Sequence, residues 1–169
     1  MVTLCLLYRH MDIRVRNGYD THPLIEGEEL ILGGINIPHN KGIKGHSDGD
    51  ALIHSIIDAL LGAMSKRDIG YHFPSSNNTL KGISSCFLLK DVASMVSSEG
   101  YKILNIDSTI ILESPPISNY INDMISMIAK FIKLDEGRIS VKATTNDGLG
   151  FIGSEEGISV ITTSLIIRE

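Results

Sequence analysis

The spacing of apolar residues along this chain predicts three amphipathic helices. In the first, apolar side chains recur three and four positions apart at Leu52, Ile53, Ile56, Ile57, Leu60 and Leu61. The same periodicity predicts a second helix over residues 85–99, ended by Gly100, and a third over residues 117–133. For the N-cap of the first helix we expect Ser47 or Asp48.

Alternating or β-branched runs predict strands around these helices. The predicted strands cover residues 13–18, 29–32, 35–38, 105–112, 138–144 and 157–167. Residues 66–82 are rich in Gly, Ser, Asn and Pro and predict a long loop, which in a compact domain is usually functional or mobile. The element order indicates an α+β fold, with helices packed on one face of a mixed sheet.

Composition excludes several classes of protein. The 169 residues are 43% hydrophobic and 21% charged, as in an ordinary globular domain. A net charge of -5 argues against nucleic-acid binding, and no apolar run approaches the roughly 18 residues that span a membrane. Cys5 and Cys86 have no metal-binding spacing, which indicates a cytoplasmic, reducing compartment. We treat residues 1–10 as an N-terminal extension to a domain at 11–169; if they are the remnant of a leader, a plastid-like compartment is expected.

The strongest chemical signal is an Asp-x-His pair near the end of the first predicted strand. Residues two apart in an extended segment point to the same face, so Asp20 and His22 can grip one ion while Thr21 faces away. His54 on the first helix is the candidate third ligand. Three protein ligands leave one position open for a substrate oxygen, as in catalytic zinc sites.

Asp50, His54 and Asp58 lie four residues apart on one face of the same helix. A buried carboxylate behind a metal-bound histidine would orient its ring. The alternative is a solvated polar face in which Asp50 stabilises the helix N-terminus. The sequence leaves both interpretations open.

Three other segments carry polar groups suited to a phosphorylated ligand. His46 and Ser47 precede a helix N-terminus, where free amides attract phosphate, although a capping turn explains them equally. The stretch around residues 68–77 could be plain turns. Residues 142–151 end a strand in hydroxyls, an acid and glycines, which suits phosphoryl oxygens and a hard cation, or simply a polar loop.

In order along the chain, these pieces resemble the 2-C-methyl-D-erythritol 2,4-cyclodiphosphate synthase family. The resemblance rests on the segments 18–22, 33–34, 37–38, 46–50, 54, 58–63, 68–70, 73–74, 81–82 and 142–145. It implies a chorismate-mutase-like trimeric architecture around a mixed sheet. It also implies that the 2-phosphate of 4-diphosphocytidyl-2-C-methyl-D-erythritol 2-phosphate attacks the β-phosphorus and releases CMP.

The resemblance assigns roles to particular residues. Asp20, His22 and His54 would hold Zn²⁺, while Asp147 would help to hold Mg²⁺ or Mn²⁺ between the α- and β-phosphates. His46 and Thr145 would be catalytic and would stabilise the developing charge.

The resemblance also implies a substrate site shared between subunits of a homotrimer. The phosphate and methylerythritol parts would contact Asp20, His22, His46, Ser47, Asp68, Ile69, Gly70, Phe73, Pro74, Ser75, Ser76 and Asn77. A neighbouring subunit would hold the cytidine through Leu112, Glu113, Ser114, Pro115, Pro116, Ile117, Ser118, Thr144, Thr145, Asn146 and Asp147. Phe151 and Ser154 complete the set of expected binding residues.

The chain departs from the family pattern at several of these positions. Asp147 stands where the family has Glu, and Pro116 replaces a common Lys. Ser75 and Asn77 stand where acids are frequent. Ser154 occupies a position often held by an Arg that lines a cavity on the trimer axis and meets isoprenoid diphosphates. The remaining alternatives are a zinc-dependent phosphohydrolase and a metal-bound trimeric binding protein without turnover.

Overall fold

The computed structural model describes residues 11–168, so the expected N-terminal extension at 1–10 lies outside the described residues. The strands are β1 (Asp12–Glu26), β2 (Leu30–Leu32), β3 (Ile35–Ile37), β4 (Lys41–Ile43), β5 (Lys102–Ile111), β6 (Ile139–Thr144) and β7 (Gly157–Arg168). The helices are α1 (Ala51–Ala63), α2 (Ile69–His72), α3 (Ser85–Ser98), α4 (Ile121–Ile132) and α5 (Gly150–Gly153).

Five strands form one mixed sheet in the order β4-β1-β7-β5-β6, and β2 and β3 form a separate ribbon. Only β5 and β6 run parallel, while the other neighbours are antiparallel. The predicted α+β fold with a mixed sheet is therefore confirmed. Within residues 11–168 we find no helix that has both the length and the apolar character needed to cross a bilayer.

The two faces of the sheet differ in what covers them. On β7 the side chains of Ile158, Val160 and Ile166 are fully buried beneath the helices, whereas Ile161 on the opposite face is 43% exposed. On β1 the opposite face carries exposed Ile13, among other apolar residues. The helices thus cover one face and leave an apolar face open.

Helix α1 lies tightly against β1 and β7 because glycine occupies the crossing point. A β-carbon at Gly18 would lie 1.9 Å from the carbonyl oxygen of Ser55. This close approach brings the middle of β1 within reach of the side chains on α1. It fixes where Asp20 and His54 can meet.

The first helix forms as predicted, but its expected N-cap is wrong. Asp50 is the N-cap, and its carboxylate accepts from the Ile53 amide at 3.0 Å. The same carboxylate accepts from the amides of Gly33 and Gly34 in the β2–β3 turn. A fully buried acid is needed here because it satisfies three otherwise unpaired donors at once.

Other element boundaries differ from the predictions. Strand β1 continues to Glu26 rather than ending near Gly18, because it pairs with β7 as far as Pro23 and with β4 from Leu24 to Glu26. Strand β4 and the single turns α2 and α5 were missed because segments of three or four residues carry little periodic signal. The third helix begins at Ile121, after a 3-10 turn over Ser118–Tyr120.

Candidate metal centre and substrate pocket

The structure brings Asp20, His22 and His54 together at one point. One oxygen of Asp20, Oδ2, lies 3.1 Å from Nδ1 of His22 and 3.1 Å from Nδ1 of His54. Potential ligand atoms of all three residues lie within 4.8 Å of one another. Strand β1 supplies the first two side chains and helix α1 supplies the third.

These residues fit a divalent metal ion. Ligand atoms at the corners of a zinc tetrahedron with bonds of about 2.0–2.1 Å are about 3.3 Å apart, close to the two separations of 3.1 Å from Asp20 to the histidines. Nδ1 of His22 is buried, and although Asp20 Oδ2 lies 3.1 Å away, no described residue meets it with hydrogen-bond geometry, which is costly for a polar atom unless something coordinates it. One carboxylate and two imidazoles are also a typical donor set for such an ion.

The ionisation of the cluster reflects both burial and mutual attraction. Burial opposes the charged form of Asp20, but the neighbouring His22 and His54 rings outweigh it and lower the pKa of Asp20. Burial likewise opposes the charged form of His54, and the Asp20 carboxylate outweighs it and raises the pKa of His54. The site therefore concentrates a negative charge between two imidazoles.

A cavity of about 250 Å³ opens beside the three candidate ligands. Besides those ligands, its walls comprise His46, Ser47, Ile69, Gly70, Phe73, Ser75, Leu80 and Leu88. The walls thus combine polar and ionisable side chains with apolar ones. Such a cavity suits a small ligand with a charged head and a short carbon chain.

Two of the residues expected beside this pocket cap helical turns. The Asp68 carboxylate caps α2 by accepting from the Tyr71 amide at 2.9 Å. Asn77 caps the 3-10 turn at Asn78–Leu80 by accepting from Thr79. Neither residue lines the cavity, and the same holds for Pro74 and Ser76.

The expected cytidine-binding segments form a second cavity of about 240 Å³. Its walls comprise Leu112, Glu113, Pro115, Pro116, Ile117, Ser118, Ala143, Thr144 and Thr145. The adjoining Asn146 and Asp147 are exposed. The backbone N–H of Asn146 donates to Glu113 Oε2 at 3.1 Å. The hydroxyl of Thr145 lies 3.4 Å from the Asp147 carboxylate.

The two cavities lie at the same end of the sheet but on strands far apart. The register aligns Thr21 of β1 with Ser159 of β7, then Ile111 of β5 and finally Thr144 of β6. Three strand spacings put Thr144 about 14 Å from Thr21. Within one chain, therefore, the segment carrying Thr145 does not close over the Asp20–His22–His54 cluster.

The last two expected binding residues lie in the connection between β6 and β7. The ring of Phe151 lies against Gly157 and is 47% exposed. The hydroxyl of Ser154 donates to the Gly150 carbonyl at 3.1 Å and so helps to close the single turn of α5. Neither side chain lines the first or the second cavity.

The interpretation of Asp50 as the carboxylate behind His54 is wrong. Asp50 makes no hydrogen bond to that ring because its oxygens serve the helix N-terminus and the β2–β3 turn. Asp58 accepts from the Ile69 amide at 2.7 Å and so ties α1 to the segment lining the cavity. Sequence spacing indicated the shared helical face but not the partners.

Sequence reasoning missed four residues of this region. Leu80 and Leu88 line the cavity, and Asp48 and Ser85 form hydrogen bonds behind His54. Leu88 was detectable only as one apolar position of the second helix. Asp48 and Ser85 are 37 residues apart, and no local pattern joins them.

Comparison with known proteins matches most of the chain to one family. A profile of the YgbB family matches residues 13–167. The 2-C-methyl-D-erythritol 2,4-cyclodiphosphate synthase of Clostridium botulinum (strain Okra / Type B1) is 51% identical over 91% of this chain and 99% of its own length. The synthase of the same name from Clostridium acetobutylicum is 52% identical, over 92% of this chain and all of its own length.

Solved structures agree with these sequence matches. The bifunctional IspDF of Campylobacter jejuni superimposes with a TM-score of 0.90 at 40% identity, covering 94% of this chain. This chain spans 43% of that bifunctional protein. The CDP complex of Plasmodium falciparum IspF superimposes with a TM-score of 0.81 at 36% identity, covering 93% of this chain and 97% of that one.

Proposed function

The chain belongs to the YgbB family and is a cyclodiphosphate synthase, and we propose that the pocket beside Asp20, His22 and His54 is where 2-C-methyl-D-erythritol 2,4-cyclodiphosphate forms. The observation that carries the proposal is the convergence of three candidate metal ligands beside a cavity whose walls combine polar and apolar side chains. The substrate is 4-diphosphocytidyl-2-C-methyl-D-erythritol 2-phosphate. The second product is CMP.

Asp20, His22 and His54 would hold Zn²⁺, and Asp147 would help to hold a second ion, Mg²⁺ or Mn²⁺. Bound there, the ions would act as Lewis acids on the diphosphate oxygens and help to hold the two reacting groups in place. The donor set and the buried Nδ1 of His22, which lacks a hydrogen-bond partner among the described residues, support the assignment of the three zinc ligands. The exposed carboxylate of Asp147 beside the Thr145 hydroxyl supports the assignment of the second ion.

The reaction needs no nucleophile from the protein because the attacking group is part of the substrate. An oxygen of the 2-phosphate forms a bond to the β-phosphorus, and the bond from that phosphorus to the bridging oxygen breaks with CMP as leaving group. The chain therefore acts as a phosphorus–oxygen lyase whose main task is to bend the substrate and neutralise charge. Cys86 does not supply a nucleophile, because burial raises the pKa of its thiol to about 11 and keeps it protonated at neutral pH.

Individual side chains lining the first cavity divide this work. His46 and Ser47 would face the phosphates, where His46 stabilises the developing charge together with Thr145. Ile69, Gly70, Phe73 and Ser75 would contact the methylerythritol part. Asp68, Pro74, Ser76 and Asn77, in the same segment, complete the proposed contacts, and two of the four also cap helical turns.

The cytidine would bind in the second cavity of a neighbouring copy. Within one chain Thr144, in the wall of the second cavity, lies about 14 Å from Thr21 beside the candidate ligands, which supports this, since one substrate must touch both sites. The open apolar face of the sheet, with Ile13, Val15 and Tyr19 each at least half exposed, supports association of copies through that face. A homotrimer with three active sites between subunits satisfies both observations. The bacterial origin of the relatives supports a cytoplasmic compartment.

Phosphorus NMR of the purified protein with the cytidyl substrate and Mg²⁺ tests the proposed reaction. The expected result is a cyclic diphosphate that accumulates in equal amount with CMP. A linear phosphate product would identify a zinc-dependent phosphohydrolase and overturn the cyclisation. Tight binding without turnover would identify a binding protein instead.

A further inference from the structure

Both ring nitrogens of His54 have polar neighbours: a carboxylate beside Nδ1 and two hydroxyls beside Nε2. Nδ1 faces the Asp20 carboxylate at 3.1 Å. Nε2 lies 2.9 Å from the hydroxyl of Ser85 and 3.1 Å from that of Ser47. Ser85 is fully buried, so the hydrogen bonds of its hydroxyl are made within the protein.

Behind Ser85 lies a carboxylate that has no other role in the proposed reaction. Asp48 Oδ2 accepts from the backbone amide of Ser85 at 2.8 Å, and Asp48 Oδ1 accepts from its hydroxyl in a short hydrogen bond. Ser84, the N-cap of α3, makes no side-chain capping bond. Asp48 therefore caps α3 from another segment and at the same time orients the Ser85 hydroxyl.

The direction of these hydrogen bonds follows from the number of available protons. A hydroxyl has one proton, and an ionised carboxylate can only accept, so the Ser85 proton points to Asp48. The lone pairs of the Ser85 oxygen then face His54, and Nε2 must carry the proton that fills this bond. In a neutral ring Nδ1 is left with a free lone pair, directed at the point where the ligand atoms converge.

We propose that Asp48, acting through Ser85, is a positioning residue that keeps the His54 proton on Nε2 and presents Nδ1 as the metal ligand. This rests on the proposed metal centre. We call the hydrogen-bonded series from Asp48 through Ser85 to Nε2 of His54 the relay. It is needed because Asp20 faces Nδ1 and by itself would favour a proton on that nitrogen, which would block coordination. Ser47 lies next to the relay, 3.2 Å from the Ser85 hydroxyl, but bonds to no carboxylate among the described residues.

Zinc affinity, measured by competition with a chromophoric chelator, tests the relay in four variants. Ser85→Ala removes the hydroxyl but leaves the amide that Asp48 caps, and Asp48→Asn leaves the hydroxyl but replaces the pure acceptor. Both should lower zinc affinity about 10–100-fold, the range typical of losing an outer-shell partner. The exposed α3 control Asp91→Asn should stay within about three-fold of wild type. Ser47→Ala also removes a hydroxyl near Nε2, but one that no described carboxylate orients, and should lose less affinity than either relay variant.

NMR of the cadmium-loaded protein, labelled with ¹⁵N in histidine, provides a readout that general destabilisation would not change. In wild type the metal should couple to Nδ1 of His54, and the Nε2 proton should exchange slowly with water. In Ser85→Ala that proton should exchange quickly even where the metal-free variant melts like wild type. Coupling to Nε2 in wild type would overturn the proposal.

The affinity series also separates failure of the relay from failure of the proposed function. If wild type binds zinc and cyclises the substrate, but Ser85→Ala or Asp48→Asn loses less than about five-fold in zinc affinity, the relay is wrong and the metal centre stands. If wild type binds no zinc, the metal centre is wrong and the relay falls with it. A large loss in both variants, with a smaller one in Ser47→Ala and none in Asp91→Asn, establishes the relay.

Discussion

Each of the three candidate ligands depends on contacts that hold its side chain in place. Asp20 and His22 share one face of β1 because they are two residues apart in a strand. His54 follows one helical turn after Asp50, whose carboxylate fixes the start of α1. The site is therefore assembled by a strand and a helix rather than by a loop, which favours precise placement of the ligand atoms.

Replacement of His54 by Ala should remove most of the metal without unfolding the protein. His54 supplies one of three candidate ligands, so zinc affinity should fall by more than the ~10–100-fold that losing an outer-shell partner costs. Elemental analysis after gel filtration measures the bound zinc, and circular dichroism checks the fold. Metal content that is unchanged in His54→Ala would refute this ligand assignment.

Asp50 should make the stability of the metal-free protein depend on pH. Burial raises its pKa from 3.8 to about 6, so the folded chain binds this proton more tightly than the unfolded chain. The stabilising contribution of the group is complete below about pH 4 and is lost as the pH rises through about 6.

Asparagine at position 50 cannot titrate and isolates this effect. The unfolding free energy of wild type relative to Asp50→Asn should fall by about 3 kcal/mol, the equivalent of about two pKa units, between about pH 4 and pH 7. Chemical denaturation of both proteins across that range measures the difference. A difference that stays flat with pH would show that Asp50 has an ordinary pKa in the folded protein.

At the scale of elements, the crossing of α1 over β1 decides whether the ligands meet. The helix backbone approaches Gly18 so closely that no other residue fits without displacement. Buried hydroxyls strengthen the same contact, because Ser55 on α1 bonds to Thr162 on β7 at 2.7 Å and Thr162 bonds to Ser108 on β5 at 2.8 Å. The position of the helix on the sheet is thus specified by both shape and hydrogen bonding.

Gly18→Ala should destabilise the protein and weaken metal binding together. Its β-carbon would overlap the Ser55 carbonyl, and overpacking of this kind typically costs ~1–3 kcal/mol. The matched control is Gly62→Ala in α1, where the nearest atom to the new β-carbon is 3.7 Å away. That control should be neutral or stabilising by up to about 1 kcal/mol. Equal stability of both variants in thermal denaturation would contradict the proposed close contact.

The sequence predicted the helices better than the strands, for a physical reason. Helices α1, α3 and α4 bury an apolar stripe, and the 3.6-residue period reveals it. On β1 the face toward the helices carries Arg14, Gly18, Asp20 and His22, so the usual alternation of buried apolar residues is absent. The pair Asp20 and His22 was still detectable because two-residue spacing suffices to place both on one face.

The contacts that complete the site were not predictable from local spacing. Asp48 reaches Ser85 across 37 residues, and Asp50 reaches Gly33 across 17. Such pairs form only once the ribbon β2–β3 and helix α3 have packed against α1. Local sequence spacing therefore predicts the candidate metal ligands, whereas tertiary packing determines which carboxylate forms the hydrogen bonds behind His54.

At the scale of the whole molecule, the open face of the sheet is the feature that a single chain leaves unexplained. Ile13, Val15, Tyr19 and Ile161 are 52%, 50%, 55% and 43% exposed on adjacent strands. Lysine at one of these positions would place a charge in the interface of the proposed trimer without disturbing the helix-covered core.

Val15→Lys should convert the trimer to monomers at micromolar concentration, because burying an unpaired charge in an apolar interface is strongly unfavourable. Sedimentation analysis should give wild type a mass of three times 18.4 kDa and the variant a mass of one chain. Ser97→Lys on the exposed side of α3 is the control and should remain trimeric. A monomeric wild type would contradict the proposed assembly.

A subunit-mixing experiment tests the central claim most directly, namely that the metal centre of one chain is completed by Thr145 of another. His54→Ala and Thr145→Ala should each be nearly inactive alone, the latter by about 10²–10³-fold if its hydroxyl stabilises the transition state. After unfolding and refolding together in equal amounts, random trimers should contain about one quarter of intact sites and recover about one quarter of wild-type activity. If the mixture stays as inactive as its components, although mass analysis shows mixed trimers, the active site lies within one chain and the account is wrong.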